Sequence, residues 1–450
     1  MSVMAQSKTQ FVCQECGFKH SKWAGRCSNC GAWNSLIEEL PVSSSLTSAA
    51  LKGRELKPSL IGTSSAKSTV KRQKTAIEDV DRVLGGGFVK GSVTLLAGQP
   101  GIGKSTLLMQ IAIHLGNSMK VLYVSGEESA EQVTDRAKRV AHSKNNVLLS
   151  ISNSTEDVAQ TILSSNYDVV FVDSIQTIAS NAISSAPGSV SQITNSTHIL
   201  SQVAKQTGTT LIIVGHVTKE GSIAGPKLLE HLVDVVMNIE GDRYGGFKTL
   251  RAVKNRYGAT SEVGIFEMKE AGLLPVANPS ATLLAERQVA DGSIVLAAME
   301  GTRPLLVEVQ ALVNRTSFGY PKRAASGFDL NRLNLLTAVL SRRTKLDLSE
   351  QDVYINVVGG IKITEPAADL AVCMAIASAS KSMQLKKDAV VFGEVGLSGE
   401  VRHVPQVEKR VKEAKNIGFG LAIGPKADTK LASLQSVGSL REALNTYLES

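Results

Sequence analysis

The chain has 450 residues, of which 43% are hydrophobic and 20% are charged, a composition that is ordinary for a globular protein. Single hydrophobic cores stop growing at roughly 250–300 residues, so a chain of this length should contain more than one domain. No run reaches the roughly 18 apolar residues of a membrane span, and the N-terminus lacks the apolar stretch of a signal peptide, so we expect a cytoplasmic location. The formal net charge of +8 is compatible with a nucleic-acid partner, whereas the aromatic content of 4% argues against extensive base stacking.

Four of the five cysteines lie near the N-terminus in two Cys-x2-Cys pairs, Cys13 with Cys16 and Cys27 with Cys30. Each pair places two thiolates at one tight turn, and two such turns complete a tetrahedral Zn²⁺ site that leaves no position for water. Two disulfides are the alternative, and a reducing cytosol disfavours them. The spacing therefore predicts a structural zinc finger over residues 1–40.

The two tryptophans and the remaining cysteine are all expected to be core residues. Trp23 and Trp33 are the only tryptophans of the chain and belong to the finger, where they either cover its small core or offer a surface to a partner. We expect the core role. Cys373 stands in an apolar helical pattern, which predicts a buried core residue.

Residues 41–74 lack hydrophobic periodicity and are rich in Ser, Thr, Ala and Lys. From residue 51 to residue 74 they contain seven basic side chains and one acidic side chain, Glu55. This composition predicts a flexible basic linker. A solvated tether and a segment attracted to the DNA backbone are both compatible with it.

A short buried strand, Val93–Leu96, leads into a segment that fits the nucleotide-binding pattern Gly-x4-Gly-Lys-[Ser/Thr]. The segment consists of Gly98, Gln99, Pro100, Gly101, Ile102, Gly103, Lys104, Ser105 and Thr106. Glycines let backbone N–H groups surround a phosphate, and the N-terminus of the following helix favours the anion. Lys104 is placed to reach the β and γ phosphates of ATP, and Ser105 to hold Mg²⁺ with its hydroxyl. We therefore predict an ATP site rather than a simple turn.

Short apolar runs alternate with helical patterns over residues 75–275, which predicts an α/β domain with a mostly parallel sheet covered on both faces. Besides the strand before the phosphate loop, the predicted strands are Val121–Ser125, Val147–Ile151, Val169–Val172, Leu211–Val214, Val235–Ile239 and Thr249–Val253.

Carboxylates follow two of these strands. Asp173 ends the buried run Val169–Val172, an arrangement typical of the Walker B residue that orients Mg²⁺ and its waters. Glu127 and Glu128 follow the strand Val121–Ser125, and either of them is a candidate general base for the attacking water. A solvent-exposed acidic loop is the alternative, but ligands of open α/β sheets bind at the ends of strands.

A pair of cations follows the last predicted strand, in the segment Lys254-Asn-Arg256-Tyr-Gly258. Because they are two residues apart on an extended segment, Lys254 and Arg256 should project to the same side. They belong either to a solvated or DNA-facing β-hairpin or to a pair of fingers that reach the γ-phosphate of a neighbouring subunit.

Taken together, these motifs resemble those of the RadA/Sms family of bacterial DNA-repair proteins over essentially the full chain. The marks are the four-cysteine finger, the phosphate loop, the segment Gly215-His-Val-Thr-Lys-Glu-Gly221, the Lys-Asn-Arg-Tyr-Gly block and a C-terminal third similar to the Lon protease domain. Members of the family usually have Phe where this chain has Tyr257, which leaves both cations in place.

The resemblance implies a RecA-like ATPase core that forms a hexameric ring on single-stranded DNA and drives branch migration with ATP during recombinational repair. Its implied partners are single-stranded and branched DNA, a RecA-type recombinase and further copies of the chain. Lys254 and Arg256 stand where related rings place fingers acting in trans, and removing such a finger costs roughly 10³–10⁵ in rate. The polar loops 180–197 and 218–227 stand where related proteins bind DNA, with Lys219, Lys227 and Arg256 as candidate contacts.

By the same resemblance, residues 281–450 form an α+β Lon-protease-like domain. Ala367 stands where the nucleophilic serine of that protease would be, and Glu408 where its lysine would be, with Lys409 one residue further on. A methyl group cannot attack a carbonyl, so this domain should be a scaffold that assembles the ring and offers basic surface to DNA rather than a protease. The candidate basic residues are Arg303, Arg315, Lys322, Arg323, Arg332, Arg342 and Arg343.

Two other functions remain as alternatives. One is a RecA-like signalling ATPase that acts on protein partners, although such ATPases typically lack the finger and the Lon-like domain. The other is an ATP-dependent protease, against which Ala367 argues.

Overall fold

The computed structural model describes residues 10–13, 18–33, 36–39, 72–140, 146–216, 226–241, 246–317, 319–385, 389–427 and 431–449. The chain divides into two compact units, Met1–Ser68 and Thr69–Ser450. In the described part of the chain, no helix is long and apolar enough to cross a membrane.

The N-terminal unit contains a three-stranded antiparallel sheet in the order β2-β1-β3. Its strands are β1 (Gln10–Cys13), β2 (Lys19–His20) and β3 (Leu36–Glu39). The buried apolar cluster consists of Cys13, Cys27 and Leu36, with Phe11 and Ala24 packed against it. So small a core cannot stabilise a fold alone, which is the situation in which small domains depend on a structural metal.

The first domain of the second unit is built on a nine-stranded sheet in the order β14-β13-β12-β11-β6-β10-β9-β7-β8. The six strands from β11 to β8 in this order are parallel, and β12, β13 and β14 extend the sheet in antiparallel pairs. The strands are β6 (Val93–Gly98), β7 (Val121–Ser125), β8 (Leu148–Ile151), β9 (Val169–Asp173), β10 (Thr210–His216), β11 (Val235–Gly241), β12 (Phe247–Asn255), β13 (Val263–Lys269) and β14 (Gly272–Pro275). The predicted α/β class with a mostly parallel sheet is confirmed.

Helices cover both faces of this sheet, and two separate apolar clusters lie between the sheet and its helices. The helices are α1 (Glu78–Leu84), α2 (Lys104–Gly116), α3 (Ala130–Val140), α4 (Thr155–Ser164), α5 (Val190–Thr207) and α6 (Pro226–Leu232). A short ribbon pairs β4 (Arg72–Gln73) with β5 (Phe88–Val89), so the last residues of the predicted linker join this domain. Every residue of β6, β7 and β9 is buried, as expected for central parallel strands.

The expected polar loop over residues 180–197 is wrong in its second half. Helix α5 begins at Val190, and the Ser189 side chain caps it by accepting a hydrogen bond from the Gln192 backbone N–H. Ser196 and Thr197 are fully buried. Because these side chains are polar, the sequence did not indicate that this helix face packs inward. There the Ser196 hydroxyl forms a hydrogen bond of 2.7 Å with the Thr155 hydroxyl.

The C-terminal domain contains a seven-stranded mixed sheet in the order β17-β18-β16-β15-β20-β23-β24. Its strands are β15 (Ser293–Glu300), β16 (Arg303–Arg315), β17 (Arg323–Ser326), β18 (Gln351–Val357), β20 (Ala389–Val391), β23 (Leu421–Gly424) and β24 (Leu434–Ser436), and two short ribbons pair β19 (Gln384–Leu385) with β25 (Leu448–Glu449) and β21 (Glu394–Val395) with β22 (Val401–Arg402). The helices are α7 (Pro279–Leu284), α8 (Leu330–Thr344), α9 (Asp369–Lys381), α10 (Val407–Ile417) and α11 (Leu440–Tyr447).

A few residues of the ATPase sheet join the apolar core of the C-terminal domain. Phe247, Val263 and Ile265 from the ATPase sheet belong to the same buried cluster as the C-terminal domain. Cys373 is completely buried in α9, as predicted, and burial raises the pKa of its thiol well above its usual range. Such a thiol is chemically inert.

Candidate functional site

The phosphate loop connects the carboxyl end of β6 to the first residue of α2, Lys104. Gly101 and Gly103 have positive φ angles of 79° and 111°, which L side chains rarely adopt. A Cβ on Gly103 would lie 2.6 Å from Met268 Cε and 2.9 Å from Leu273 Cδ1. The loop therefore needs glycine there both for its backbone conformation and for its packing against β13 and β14.

Lys104 lies folded into the phosphate loop. Its Nζ donates to the backbone carbonyls of Gly98 at 2.9 Å and Gln99 at 3.0 Å, and only 4% of the residue is exposed. Burial lowers the pKa of Lys104 to about 8, and the charges of Asp173 and Glu127 oppose this shift. The two carboxylates are thus close enough to act on the ammonium group.

Asp173 ends β9 at the same edge of the sheet as the phosphate loop. Its Oδ2 accepts a hydrogen bond of 2.6 Å from the hydroxyl of Tyr123, and Arg136 Nη1 lies 4.0 Å from the same oxygen. Burial, with the Asp173 charge second, raises the pKa of Tyr123 well above its usual range, so this hydroxyl remains a donor. The hydrogen bond fixes the carboxylate in one orientation.

Glu127 and Glu128 differ in what they contact. Glu127 Oε1 accepts a hydrogen bond of 2.6 Å from Ser174 Oγ, directly beside the Walker B residue, and its charge acts on Lys104. Glu128 forms an ion pair with Arg136 of α3. The geometry therefore places Glu127 near Lys104 and beside Asp173, whereas Arg136 engages Glu128.

Lys254 and Arg256 both contact the segment 230–234. Lys254 Nζ donates to the carbonyls of Glu230 and Val233, the latter at 2.8 Å, and Arg256 Nη1 lies 3.1 Å from Asp234 Oδ1. Burial, with the neighbouring Arg256 charge second, lowers the pKa of Lys254. The two cations therefore lie side by side, and the Arg256 side chain remains 53% exposed.

The strand register places these cations far from the phosphate loop of their own chain. Asn255 pairs with Val235, and Val235 pairs with Thr94 near the start of β6, whereas the phosphate loop follows Gly98 at its end. Thr94 and Gly98 are four residues apart on β6, so the cations and the phosphate loop are separated by about 13 Å along the strand direction. The cations therefore lie at the opposite edge of the sheet.

Asp234 anchors Arg256 to the phosphate-loop strand. Only 3% of its side chain is exposed, and its Oδ2 accepts the backbone N–H of Val93 at 3.0 Å while Oδ1 faces Arg256 and Lys205. Sequence reasoning missed Asp234, Tyr123 and Arg136. For Asp234 and Tyr123 the available signal was a charged or hydroxyl-bearing side chain within an apolar run, which requires a partner when it is buried. Arg136 lies in the polar helix α3 and gives no such signal.

Three thiols converge in the finger. The Sγ atoms of Cys13, Cys27 and Cys30 all lie within 4.8 Å of one another, and those of Cys13 and Cys30 are 3.6 Å apart. Two thiolates on a tetrahedral Zn²⁺ at 2.3 Å stand about 3.8 Å apart, so this set fits zinc. Backbone hydrogen bonds hold the segments beside two of these thiols, with Cys13 N–H donating to Phe18 O and Cys27 N–H donating to Ala32 O. Cys16 lies outside the described residues.

The expected core role of the tryptophans is wrong. Trp23 is 60% exposed and Trp33 is 72% exposed. The thiol-lined core is too small to enclose either indole.

The candidate DNA contacts have mixed outcomes. Lys219 lies outside the described residues, and Lys227 lies in α6, where only its helical position is described. In the C-terminal domain, Arg303 pairs with Asp79 of α1, Arg332 pairs with Asp369, and Arg323 donates to the carbonyls of Leu348 and Gln351. These three arginines therefore each have a partner within their own chain.

The segment similar to the protease centre contains an ion pair. Ala367 is buried in a single 3₁₀ turn, Pro366–Ala368, next to Glu365. Glu365 pairs with the fully buried Arg410 at 2.6 Å. Glu408 lies exposed in the first turn of α10, and Lys409 Nζ lies 3.4 Å from Thr302 O. No serine–lysine pair is present at these positions.

Family models match three parts of the chain. They are a rubredoxin metal-binding domain over residues 11–38, an AAA domain over residues 62–222 and the ChlI subunit of Mg-chelatase over residues 334–428. The first two agree with the zinc-binding and ATP-binding predictions.

Full-length relatives give closer matches. The chain is 48% identical to DNA repair protein RadA of Bacillus subtilis over 99% of its own length and 100% of the relative, and 46% identical to RadA of Listeria monocytogenes over 98% and 100%. RadA of Aquifex aeolicus is 46% identical over 94% and 95% of the two chains. Among solved structures, the KaiC-like protein PH0186 of Pyrococcus horikoshii matches 46% of this chain and 99% of its own, at 19% identity and a TM-score of 0.39.

Proposed function

Since the chain belongs to the RadA family of DNA repair proteins and contains a RecA-like ATPase domain and a zinc-binding finger, we propose that it is a DNA-dependent ATPase that promotes branch migration at recombination intermediates. Its proposed partners are single-stranded and branched DNA and a RecA-type recombinase. The observation that carries the proposal is the meeting of Lys104, Asp173 and Glu127 at one edge of the sheet.

In this proposal each residue of the site has one role. Lys104 leaves the loop carbonyls to bind the β and γ phosphates, and Glu127 orients and deprotonates the attacking water. Ser105 and Asp173 would hold the magnesium ion, which neutralises charge on the phosphates. Arg136 restrains Glu128, so Glu127 is the better candidate base.

The proposed assembly is a ring of identical copies joined by head-to-tail contacts, with six as the expected number. Lys254 and Arg256 lie at the edge of the sheet opposite their own phosphate loop, so a role in hydrolysis requires the site of another subunit. Head-to-tail contacts that close on themselves generate such rings. Ala367 and the Glu365–Arg410 pair support a structural rather than a proteolytic role for the C-terminal domain.

The first test is ATP turnover with and without single-stranded DNA across a salt series. Stimulation that decreases with rising salt is expected, because DNA binding through phosphates releases counterions. Turnover that is unaffected by DNA at every salt concentration would instead favour the signalling ATPase.

Lys104→Ala should abolish turnover, since the γ-phosphate loses its main cation.

A further inference from the structure

The finger exposes both tryptophans of the chain. Trp23 and Trp33 are 60% and 72% exposed, and Phe18 of the same module is 45% exposed. Burying such rings is favourable, and large aromatic side chains exposed together mark interaction sites. These two indoles lie outside the buried cluster of Cys13, Cys27 and Leu36.

The two indoles stand close together. A Cβ on Gly25 would lie 3.8 Å from Trp33 Cζ3 and 4.0 Å from Trp23 Cη2, so these ring atoms are within about 8 Å of each other. Gly25 provides the space between them. We call Trp23, Gly25 and Trp33 the indole surface.

Two cations adjoin the indole surface. The Arg26 guanidinium lies 5.7 Å from the centroid of the Trp33 ring, and its Nε donates to Gly31 O at 3.0 Å, which holds it there. Lys22 is exposed directly before Trp23. From Phe18 to Trp33 the sequence contains three lysines and arginines and no aspartate or glutamate.

We propose that the indole surface binds single-stranded DNA, with bases stacked on Trp23 and Trp33 and phosphates on Lys22 and Arg26. Aromatic platforms combined with cations are how proteins bind single strands, because every base has a face that can stack and every linkage carries a negative charge. An exposed tryptophan pair also suits a protein partner. The absence of acidic side chains between Phe18 and Trp33 favours single-stranded DNA, which is a polyanion with flat rings.

The chain permits a local test because its only two tryptophans form this surface. The intrinsic tryptophan fluorescence of the full zinc-loaded chain is measured while a homothymidine oligonucleotide is added, and anisotropy of the same labelled oligonucleotide reports total binding independently. Quenching that follows the binding curve is expected. An abasic oligonucleotide should quench less, because it offers phosphates without bases.

Variants separate stacking from charge. Trp33→Ala should weaken oligonucleotide affinity roughly 5- to 100-fold at unchanged zinc content, and Trp33→Phe should retain most of the affinity because the aromatic face remains. Lys22→Gln should weaken binding and reduce its salt dependence, whereas Lys138→Gln, an exposed lysine on α3, is the matched control.

Two results would overturn the proposal. The first is unchanged fluorescence at full oligonucleotide saturation by anisotropy, which would leave the DNA-dependent ATPase intact and remove only the finger contact. The second is quenching by a recombinase filament protein but not by the oligonucleotide, which would assign the indole surface to a protein partner.

Discussion

Lys104 shows how a single side chain links burial to nucleotide binding. It is buried among backbone carbonyls, and burial lowers its pKa to about 8. Phosphates bind the protonated form, so they should raise this pKa on binding. The interaction with the phosphates of ATP then offsets the free-energy cost of burying the charged ammonium group.

The pH dependence of ATP affinity follows from that pKa. Below pH 8 Lys104 is already protonated, and affinity should not depend on its titration. Above pH 8 each binding event must take up a proton, so affinity should fall roughly tenfold per pH unit until the pKa of the bound state is reached. Titration calorimetry in buffers of different ionisation enthalpy measures both the ATP affinity and the number of protons taken up on binding. Lys104→Arg cannot deprotonate in this range, and a persistent pH dependence in that variant would assign the effect to another group.

Asp234 is the residue that should position Arg256. Asp234→Asn removes the charge that holds the guanidinium while keeping an acceptor for the Val93 N–H. We expect unchanged ATP affinity and a DNA-stimulated kcat lowered roughly 10- to 100-fold, because a misplaced catalytic group loses rate rather than binding. Asp168→Asn is the matched control, since Asp168 also accepts a strand-edge N–H, that of Lys120, at 2.9 Å. Equal losses in both variants would indicate a purely structural role.

At the scale of elements, periodicity predicted the parallel strands because each is a short apolar run, and all of them except the exposed edge strand β8 are largely buried. The phosphate loop and Asp173 were predictable because they follow such strands directly. The exposure of Trp33 and the inward face of α5 were not, since both depend on which surfaces the folded chain encloses. Contacts such as Tyr123 with Asp173 and Val93 with Asp234 join residues 50 and 141 positions apart, which no local pattern records.

The finger should behave as an independent element because it forms its own compact unit. Cys27→Ser removes a buried ligand, so we expect zinc loss and disorder of the finger with the thermal transition of the ATPase unit unchanged. Metal analysis and calorimetry measure the two effects. A zinc content equal to that of the unaltered chain would refute the thiolate site, and Cys373→Ser, outside the finger, controls for the loss of a thiol.

At the scale of the whole molecule, the opposite placement of Lys104 and Arg256 leads us to expect that hydrolysis depends on neighbouring subunits. Arg256→Ala keeps an intact phosphate site but lacks the finger, and Asp173→Asn keeps the finger but lacks the Walker B carboxylate. Each variant alone should turn over ATP roughly 10³-fold more slowly or worse. In an equal mixture, about a quarter of head-to-tail interfaces combine an intact site with an intact finger.

Mixing the two variants should therefore restore DNA-stimulated turnover to about a quarter of that of the unaltered chain. The measurement is steady-state ATP hydrolysis after the subunits have exchanged, with exchange verified by energy transfer between labelled copies. Mixing Arg256→Ala with a chain that carries both substitutions provides the control, because no interface then has a finger and turnover should stay low. If the first mixture is no more active than this control despite complete exchange, Arg256 does not act in trans, and its contact with Asp234 serves the fold of its own subunit.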